Sequence, residues 1–255
     1  MNIVLEYIKY RLNAKGRHGI HSPFIYDMVD KCFRTPINTE DKLKIKSLIH
    51  SLKVDRRSLN IQDFGAGSKK LGNVRKVNQL LRTSSSIGKF GKLFYQIAKH
   101  YQPESILEFG TSIGIGSIHF AAGNKNTQVL TVEACPETFA IAQENFAKIG
   151  LENVEGVNST FDAFLSSQPK TQFDIIFIDG HHDGTALLNY CKSLKSTIHD
   201  ETLIIVDDIR WSQSMFDAWT TLKNSDEFHV SIDLFRMGII SPRPFQEKEH
   251  FILKY

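Results

Sequence analysis

Two groups of residues in this 255-residue chain have the types and spacing that chemistry requires. The first is Asp179-Gly180-His181-His182 together with Asp207-Asp208, each set following a short apolar run. Carboxylates and imidazoles gathered at such points can move protons. Three carboxylates also suit a hard, oxygen-loving cation such as Mg²⁺ or Ca²⁺. The second group is the glycine turn Gly110-Thr111-Ser112-Ile113-Gly114-Ile115-Gly116, with Glu108 before it and Glu133 following Gly110 by 23 residues. Glycines let a backbone turn sharply and approach a ligand closely. A strand that runs into such a turn and then into a helix makes a nucleotide-binding corner. An acid at the end of the next strand can accept hydrogen bonds from both ribose hydroxyls of an adenosine.

These groups need elements to position them, and the pattern supplies strands and helices in alternation. Ser105–Phe109 reads as a strand, Gly114–Ala122 as a helix and Gln128–Val132 as a β-branched strand. Pro136 suits a first helical position, and Glu137–Ile149 is a periodic helix stopped by Gly150. Asn153–Val157, Phe173–Ile178 and Thr202–Val206 are further strands, separated by helices at Phe161–Leu165 and Thr185–Thr197, with another helix over Ser212–Lys223. Apolar strands without alternation are buried on both faces, which implies a parallel sheet covered by helices. Phe228–Phe235 and His250–Leu253 are strands with a loop, Gly238–Glu249, between them. Joined without a helix, they are expected to pair antiparallel. The first 82 residues read as a helical extension, a candidate lid or substrate region, ahead of a domain at 83–255. Its expected helices are Ile3–Leu12, Phe24–Cys32 and Lys42–Leu52, and Phe90–Tyr101 leads into the first strand of the domain.

Bulk properties narrow the field. Hydrophobic residues make up 41% and charged residues 23%, ordinary for a globular protein. No apolar run approaches the roughly 20 residues a membrane helix needs, and Glu6 and Lys9 interrupt any leader-like start, so a cytoplasmic protein is expected. Three scattered cysteines suggest neither a zinc site nor a disulfide framework. Residues 1–100 carry 20 Lys and Arg against 7 Asp and Glu, and the remainder carries 11 against 21. The basic residues are dispersed, which favours mutual attraction of two parts of one molecule over a nucleic-acid surface.

Leu107-Glu108-Phe109-Gly110-Thr111 followed by Gly114 resembles the first motif of class I S-adenosylmethionine-dependent methyltransferases, most closely the small-molecule O-methyltransferases related to catechol and caffeoyl-CoA O-methyltransferase. The resemblance covers Phe90–Val206, and residues 1–80 resemble a group of bacterial methyltransferases without an assigned activity. It implies an α/β fold: a doubly wound, mostly parallel, seven-stranded Rossmann-like sheet closed by an antiparallel C-terminal hairpin. S-adenosylmethionine is the implied cofactor. Glu108 would face its methionine amino group, and Gly110, Thr111, Ser112 and Gly114 would line the turn. Glu133 with Ala134 would hold the ribose, Ser159 and Thr160 the adenine, and Ser86 would cover the methionine end, with Asp179 beside the cofactor.

Metal-dependent members of that family place one Asp after strand four and an Asp-Asn pair after strand five around Mg²⁺. The resemblance therefore implies Asp179, Asp207 and Asp208 as metal ligands, with Asp208 where Asn is usual, and Asp179 and His182 as catalytic residues. His182 stands where those relatives carry a basic Lys, and imidazole titrates near neutral pH. An Asp after a strand also serves simply to cap the next helix. Loops outside the motifs would shape the acceptor pocket, with Arg210, Trp211 and Met215 as candidates. The expected partner is a small-molecule acceptor, and the sequence leaves room for a homodimer.

Three other readings compete. A basic N-terminal part would suit an RNA methyltransferase, but the chain lacks an Asn-Pro-Pro-Tyr motif and an aromatic-basic RNA signature. A nicotinamide-dependent oxidoreductase would carry G-x-G-x-x-G, whose last glycine here falls on His119. A binding protein with a relic site would not bind S-adenosylhomocysteine. Leu59–Ser68 imitates a strand and glycine turn at Asp63-Phe64-Gly65-Ala66-Gly67, but no periodic helix or second-strand acid follows it.

Overall fold

The computed structural model describes residues 1–62, 74–84, 86–167 and 171–255. The Asp63–Gly67 imitation motif lies outside those residues, as does Ser85, a candidate alongside Ser86 for covering the methionine end. In chain order come α1 (Ile3–Asn13), α2 (Pro23–Asp30), α3 (Thr39–Val54), β1 (Ser58–Asn60), β2 (Val74–Lys76), α4 (Val77–Thr83) and α5 (Lys89–Tyr101). The alternating part follows as β3 (Ser105–Phe109), α6 (Ile115–Gly123), β4 (Gln128–Glu133), α7 (Pro136–Ile149), β5 (Val154–Asn158), α8 (Phe161–Ser166), β6 (Ile175–Ile178), α9 (Gly184–Ser193), β7 (Leu203–Val206) and α10 (Gln213–Asn224). The chain closes with β8 (Val230–Asp233), β9 (Gly238–Ser241) and β10 (Glu249–Ile252). Packing groups residues 1–31 with 169–255 and residues 32–168 among themselves.

In the unit of residues 32–168, β3, β4 and β5 run parallel, with Leu107 opposite Leu130 and Val132 opposite Val157. Ile106, Leu107, Phe109 and Val132 are all buried, as a sheet covered by helices requires. α5 turns Phe90, Leu93, Phe94 and Ile97 to one buried face, the helical spacing of a core-facing stripe. Phe94 stacks on Phe120 of α6 at 4.6 Å between ring centres. α6 is buried from Ile115 to Ala122, which accounts for its uniformly apolar sequence. Ile113, inside the glycine turn, joins Leu48, Leu52, Leu81, Ile118 and Phe146 in one core. Each such side chain contributes roughly 1.5–3 kcal/mol on burial, so the turn is anchored by its own apolar residue. The region before residue 83, read as a helical extension, also holds β1 and β2, which pair antiparallel. Three-residue strands are too short to show a period.

In the other unit the strands lie in the order β10-β8-β9-β7-β6. β6 and β7 are parallel, with Ile176 opposite Ile204. β9 is antiparallel to both β7 and β8. The main sheet thus has eight strands among the described residues, not seven. The additional one is β9, in the segment expected to be a loop. The antiparallel hairpin is β8–β9, whereas β10 lies parallel to β8. With β9 filling one edge of β8, the last strand must take the other edge, and the crossover sets its direction. From α1, Tyr10 donates its hydroxyl to the Leu253 carbonyl at 2.6 Å, and Lys15 bridges to Leu253 after β10. Among the described residues, no helix is long and apolar enough to cross a membrane.

Candidate active site

The glycine turn forms one candidate site, within the unit of residues 32–168. β3 delivers Glu108 to a position only 1% exposed. Its Oε2 accepts from the Ser117 hydroxyl, at the start of α6, and from Thr131 Oγ1 on β4 at 2.6 Å. The Thr111 and Thr131 hydroxyls lie 2.6 Å apart and share a hydrogen bond. Burial dominates the electrostatics and pushes the Glu108 carboxyl up to about 7, against the pull of these hydroxyl donors. The backbone around it needs glycine at two points. Gly114 has φ +83°, and a Cβ there would lie 2.6 Å from the Phe146 ring. A Cβ on Gly116 would overlap Glu108 Oε1 and sit 3.2 Å from Ser86 Oγ, so Gly116 lets Ser86 and Glu108 share one corner.

Glu133 closes the turn from the end of β4. One carboxylate oxygen accepts from the Ser112 backbone N–H at 2.7 Å and the other from the Cys135 N–H at 2.9 Å. Burial also raises this carboxyl above its ordinary value. Ser112 itself has φ +49°, a left-handed conformation uncommon outside glycine and often kept at functional sites. At the end of β5, Asn158 Nδ2 donates to the carbonyls of Glu133 and Ala134 at 2.8 and 3.3 Å, and Ser159 N–H donates to Glu133 O at 3.0 Å. Thr160 caps α8 by accepting from Ala163 N–H at 3.2 Å. The structure thus brings Glu108, Gly110, Thr111, Ser112, Gly114, Glu133, Ala134, Ser159, Thr160 and Ser86 into one stretch of connected turns. The sequence reading missed Ser117, Thr131 and His119. His119 is buried and its Nδ1 donates to the Ile115 carbonyl at 2.8 Å. An apolar helix carrying a lone Ser and His was the signal available for two of them.

A separate cluster of candidate residues lies in the unit of residues 1–31 and 169–255. It is built at the carboxyl ends of β6 and β7. His181, His182 and Asp208 have φ values of +65°, +33° and +50°. Three left-handed residues of this kind in two adjacent loops mark a place where backbone strain is retained. His182 Nε2 stands 3.9 Å from Asp179 Oδ1 and 4.0 Å from Asp208 Oδ2. His181 Nδ1 and the Tyr190 hydroxyl share a 2.5 Å hydrogen bond. Asp183 caps α9 by accepting from Ala186 N–H at 3.0 Å, and Ser212, not Asp207 or Asp208, caps α10 by accepting from Met215 N–H at 3.1 Å. Burial and the neighbouring Asp207 raise the Asp208 carboxyl, while Arg236 opposes them.

Arg236 is a further residue the sequence reading missed. It sits in the turn between β8 and β9, held by Ile209 N–H donating to its carbonyl at 2.9 Å. Its Nε lies 3.2 Å from Asp207 Oδ1 and 2.9 Å from Asp208 Oδ1, and its Nη2 donates to Asp207 Oδ2 at 3.4 Å and Asp208 Oδ2 at 3.3 Å. A guanidinium therefore covers the two carboxylates expected to hold Mg²⁺. Among the described residues, no three His, Cys, Asp or Glu side chains form a group that could hold a metal ion. The expected metal set of Asp179, Asp207 and Asp208 does not fit this arrangement, because a cation already spans two of its members. Of the expected acceptor-pocket residues, Arg210 is taken up in a paired contact with Asp233 at 2.9 and 2.5 Å and Met215 is buried, while Trp211 is exposed, its ring 5.7 Å from that of His182.

Residues 107–209 match the family described as a methyltransferase domain. The chain is 31% identical over 146 residues to a catechol O-methyltransferase of Niastella koreensis, covering 55% of this chain and 64% of that protein. It spans, then, somewhat less than two thirds of that curated relative. Among solved structures it resembles the S-adenosylhomocysteine-bound methyltransferase PaMTH1 of Podospora anserina, with a TM-score of 0.60 at 16% identity over 88% of this chain and 98% of that one. It also resembles an O-methyltransferase of Bacillus cereus solved with S-adenosylhomocysteine, with a TM-score of 0.53 at 17% identity over 82% and 93%. These likenesses establish the Rossmann-like methyltransferase fold.

Proposed function

We propose that this chain, whose residues 107–209 match the methyltransferase-domain family, is an S-adenosylmethionine-dependent O-methyltransferase acting on a hydroxyl of a small molecule. The observation that carries the reading is the joined set of Glu108, the Gly110–Gly114 turn and Glu133, formed where the family match begins. The relative named as a catechol O-methyltransferase supports a hydroxyl acceptor.

When bound, S-adenosylmethionine supplies a methyl group activated by a sulfonium centre. The chain's own residues do the rest. The anionic form of Glu108 suits an ammonium group, and the Glu133 carboxylate suits ribose hydroxyls. Ser86, set beside Glu108 at Gly116, offers a further polar contact at the same corner. Attack on a methyl carbon needs an aligned acceptor oxygen relieved of its proton. His182 Nε2 takes that proton, and Asp179 and Asp208, each about 4 Å away, stabilise the imidazolium that results. The three cysteines are buried thiols, which fits a reducing compartment such as the cytoplasm.

Calorimetric titration with S-adenosylhomocysteine tests the reading directly. Micromolar binding is expected, weakened at least tenfold in Glu133→Ala. No binding by the folded wild-type chain would leave a relic site as the better account. A nucleic-acid substrate would instead show as salt-sensitive RNA affinity, which this reading expects to be absent.

A further inference from the structure

We propose that Arg236 is the resident cation of the Asp207–Asp208 cluster, that its guanidinium keeps divalent metals out, and that its free Nη1 holds the hydroxyl oxygen of the acceptor. The proposal deepens the O-methyltransferase reading and rests on it for the identity of the acceptor.

The carboxylates come first. Asp207 has a side chain 0% exposed and Asp208 one 14% exposed. Two buried, adjacent negative charges are costly unless paired. A divalent metal would solve this by drawing several oxygens to within about 2.1 Å of one point. Here the fork formed by Nε and Nη2 reaches all four oxygens of the pair at 2.9–3.4 Å. Guanidinium is always charged, and its planar edge matches two acceptors at once. Its position is set by backbone, since the Ile209–Arg236 hydrogen bond ties the β8–β9 turn to the residue following Asp208. A metal ion would have to displace this arginine to reach the carboxylates.

The guanidinium engages one edge only. Among the described residues Nη1 has no hydrogen-bond partner, and the side chain is 36% exposed. Nη1 therefore offers two N–H donors beside the loops that carry His182 and Trp211. A hydroxyl that is losing its proton becomes more anionic, and a fixed cationic donor stabilises that change. The class of acceptor that fits is a phenol or catechol, whose flat ring suits the exposed indole of Trp211.

Mn²⁺ titration of the full-length protein, followed by electron paramagnetic resonance, tests the exclusion without any acceptor. The wild type is expected to bind Mn²⁺ no tighter than millimolar. Arg236→Gln, which uncovers the carboxylates, should bind at least tenfold tighter, and Arg236→Lys should stay as weak as the wild type. Micromolar Mn²⁺ binding by the wild type, lost in Asp208→Asn, overturns the proposal, as does equal weakness of wild type and Arg236→Gln. S-adenosylhomocysteine affinity reports whether each variant is folded and whether the methyltransferase reading itself stands. For the acceptor role the probe is 3,4-dihydroxybenzoate, titrated calorimetrically with S-adenosylhomocysteine present. Binding at least tenfold weaker in both Arg236→Gln and Arg236→Lys is expected. No binding to the wild type, or equal affinity in all three, rejects that role.

Discussion

Glu108 carries the sharpest consequence at the scale of single residues. A carboxyl held up at about 7 is largely protonated at pH 6 and largely ionised at pH 8. Its ordinary value is 4.5, so its folded value is raised. The stability it lends the ligand-free protein is therefore full below about pH 4.5 and is lost as pH climbs towards 7. Binding of an ammonium-bearing ligand runs the other way, because the ligand favours the anion. S-adenosylhomocysteine should bind about tenfold tighter at pH 8 than at pH 6, one pKa unit being tenfold. At pH 6 binding should release a proton, visible as a buffer-dependent enthalpy. Glu108→Gln should bind weakly with a flat pH profile; a flat profile in the wild type would show that the carboxyl does not face the ligand. The same scale includes Thr131, whose hydroxyl links Glu108 to Thr111 across two strands. A residue of that kind is invisible to motif reading, since a Thr in a strand usually signals only β propensity.

At the scale of elements, the strand–turn–helix corner depends on Gly114 as the αL residue ahead of α6. A Cβ in that conformation costs roughly 1–2 kcal/mol, and here it would also press on Phe146 at 2.6 Å. Gly114→Ala should destabilise the fold by about 2–3 kcal/mol, measured by urea denaturation. Gly116→Ala differs in kind, since φ is not the problem and the clash is with the Glu108 carboxylate. It should lower S-adenosylhomocysteine affinity more than stability. The β8–β9 hairpin is the other element that matters, because its turn delivers Arg236 to the carboxylates. In sequence the turn is Leu234-Phe235-Arg236-Met237, with Phe235 at φ +73°. Nothing in that string advertises a hairpin, and the strand after it is only four residues long.

Over the whole molecule, the grouping of residues 1–31 with 169–255 decides what the first helix is for. Tyr10 and Lys15 anchor α1 to the end of β10, an edge strand of the sheet. Edge strands invite intermolecular pairing unless something occupies them. Tyr10→Phe removes the hydroxyl donor to the buried Leu253 carbonyl and should cost about 1 kcal/mol, read as a lower thermal midpoint. The opposite face of α1 leaves Val4, Leu5, Ile8 and Leu12 exposed. The uneven charge noted in sequence does not coincide with either unit, since the basic first hundred residues are shared between the two.

The amino-acid sequence by itself determined the parts that local rules control. Apolar runs specified β3, β4, β6 and β7, Pro136 and Gly150 bracketed α7, and the spacing of Glu108, Gly110, Gly114 and Glu133 marked the corner that the structure forms. Each follows from neighbours in the chain, so each was legible. Tertiary structure decided the rest. The eighth strand exists because Gly238–Ser241 finds β7 and β8 as partners, and isolated strands have no stability to announce in sequence. Asp179, Asp207 and Asp208 have the composition of a metal site, and only the fold shows Arg236, 28 residues beyond Asp208, lying against two of them. Charge pairing acts through space, so the cation that settles a carboxylate cluster can come from any distance along the chain.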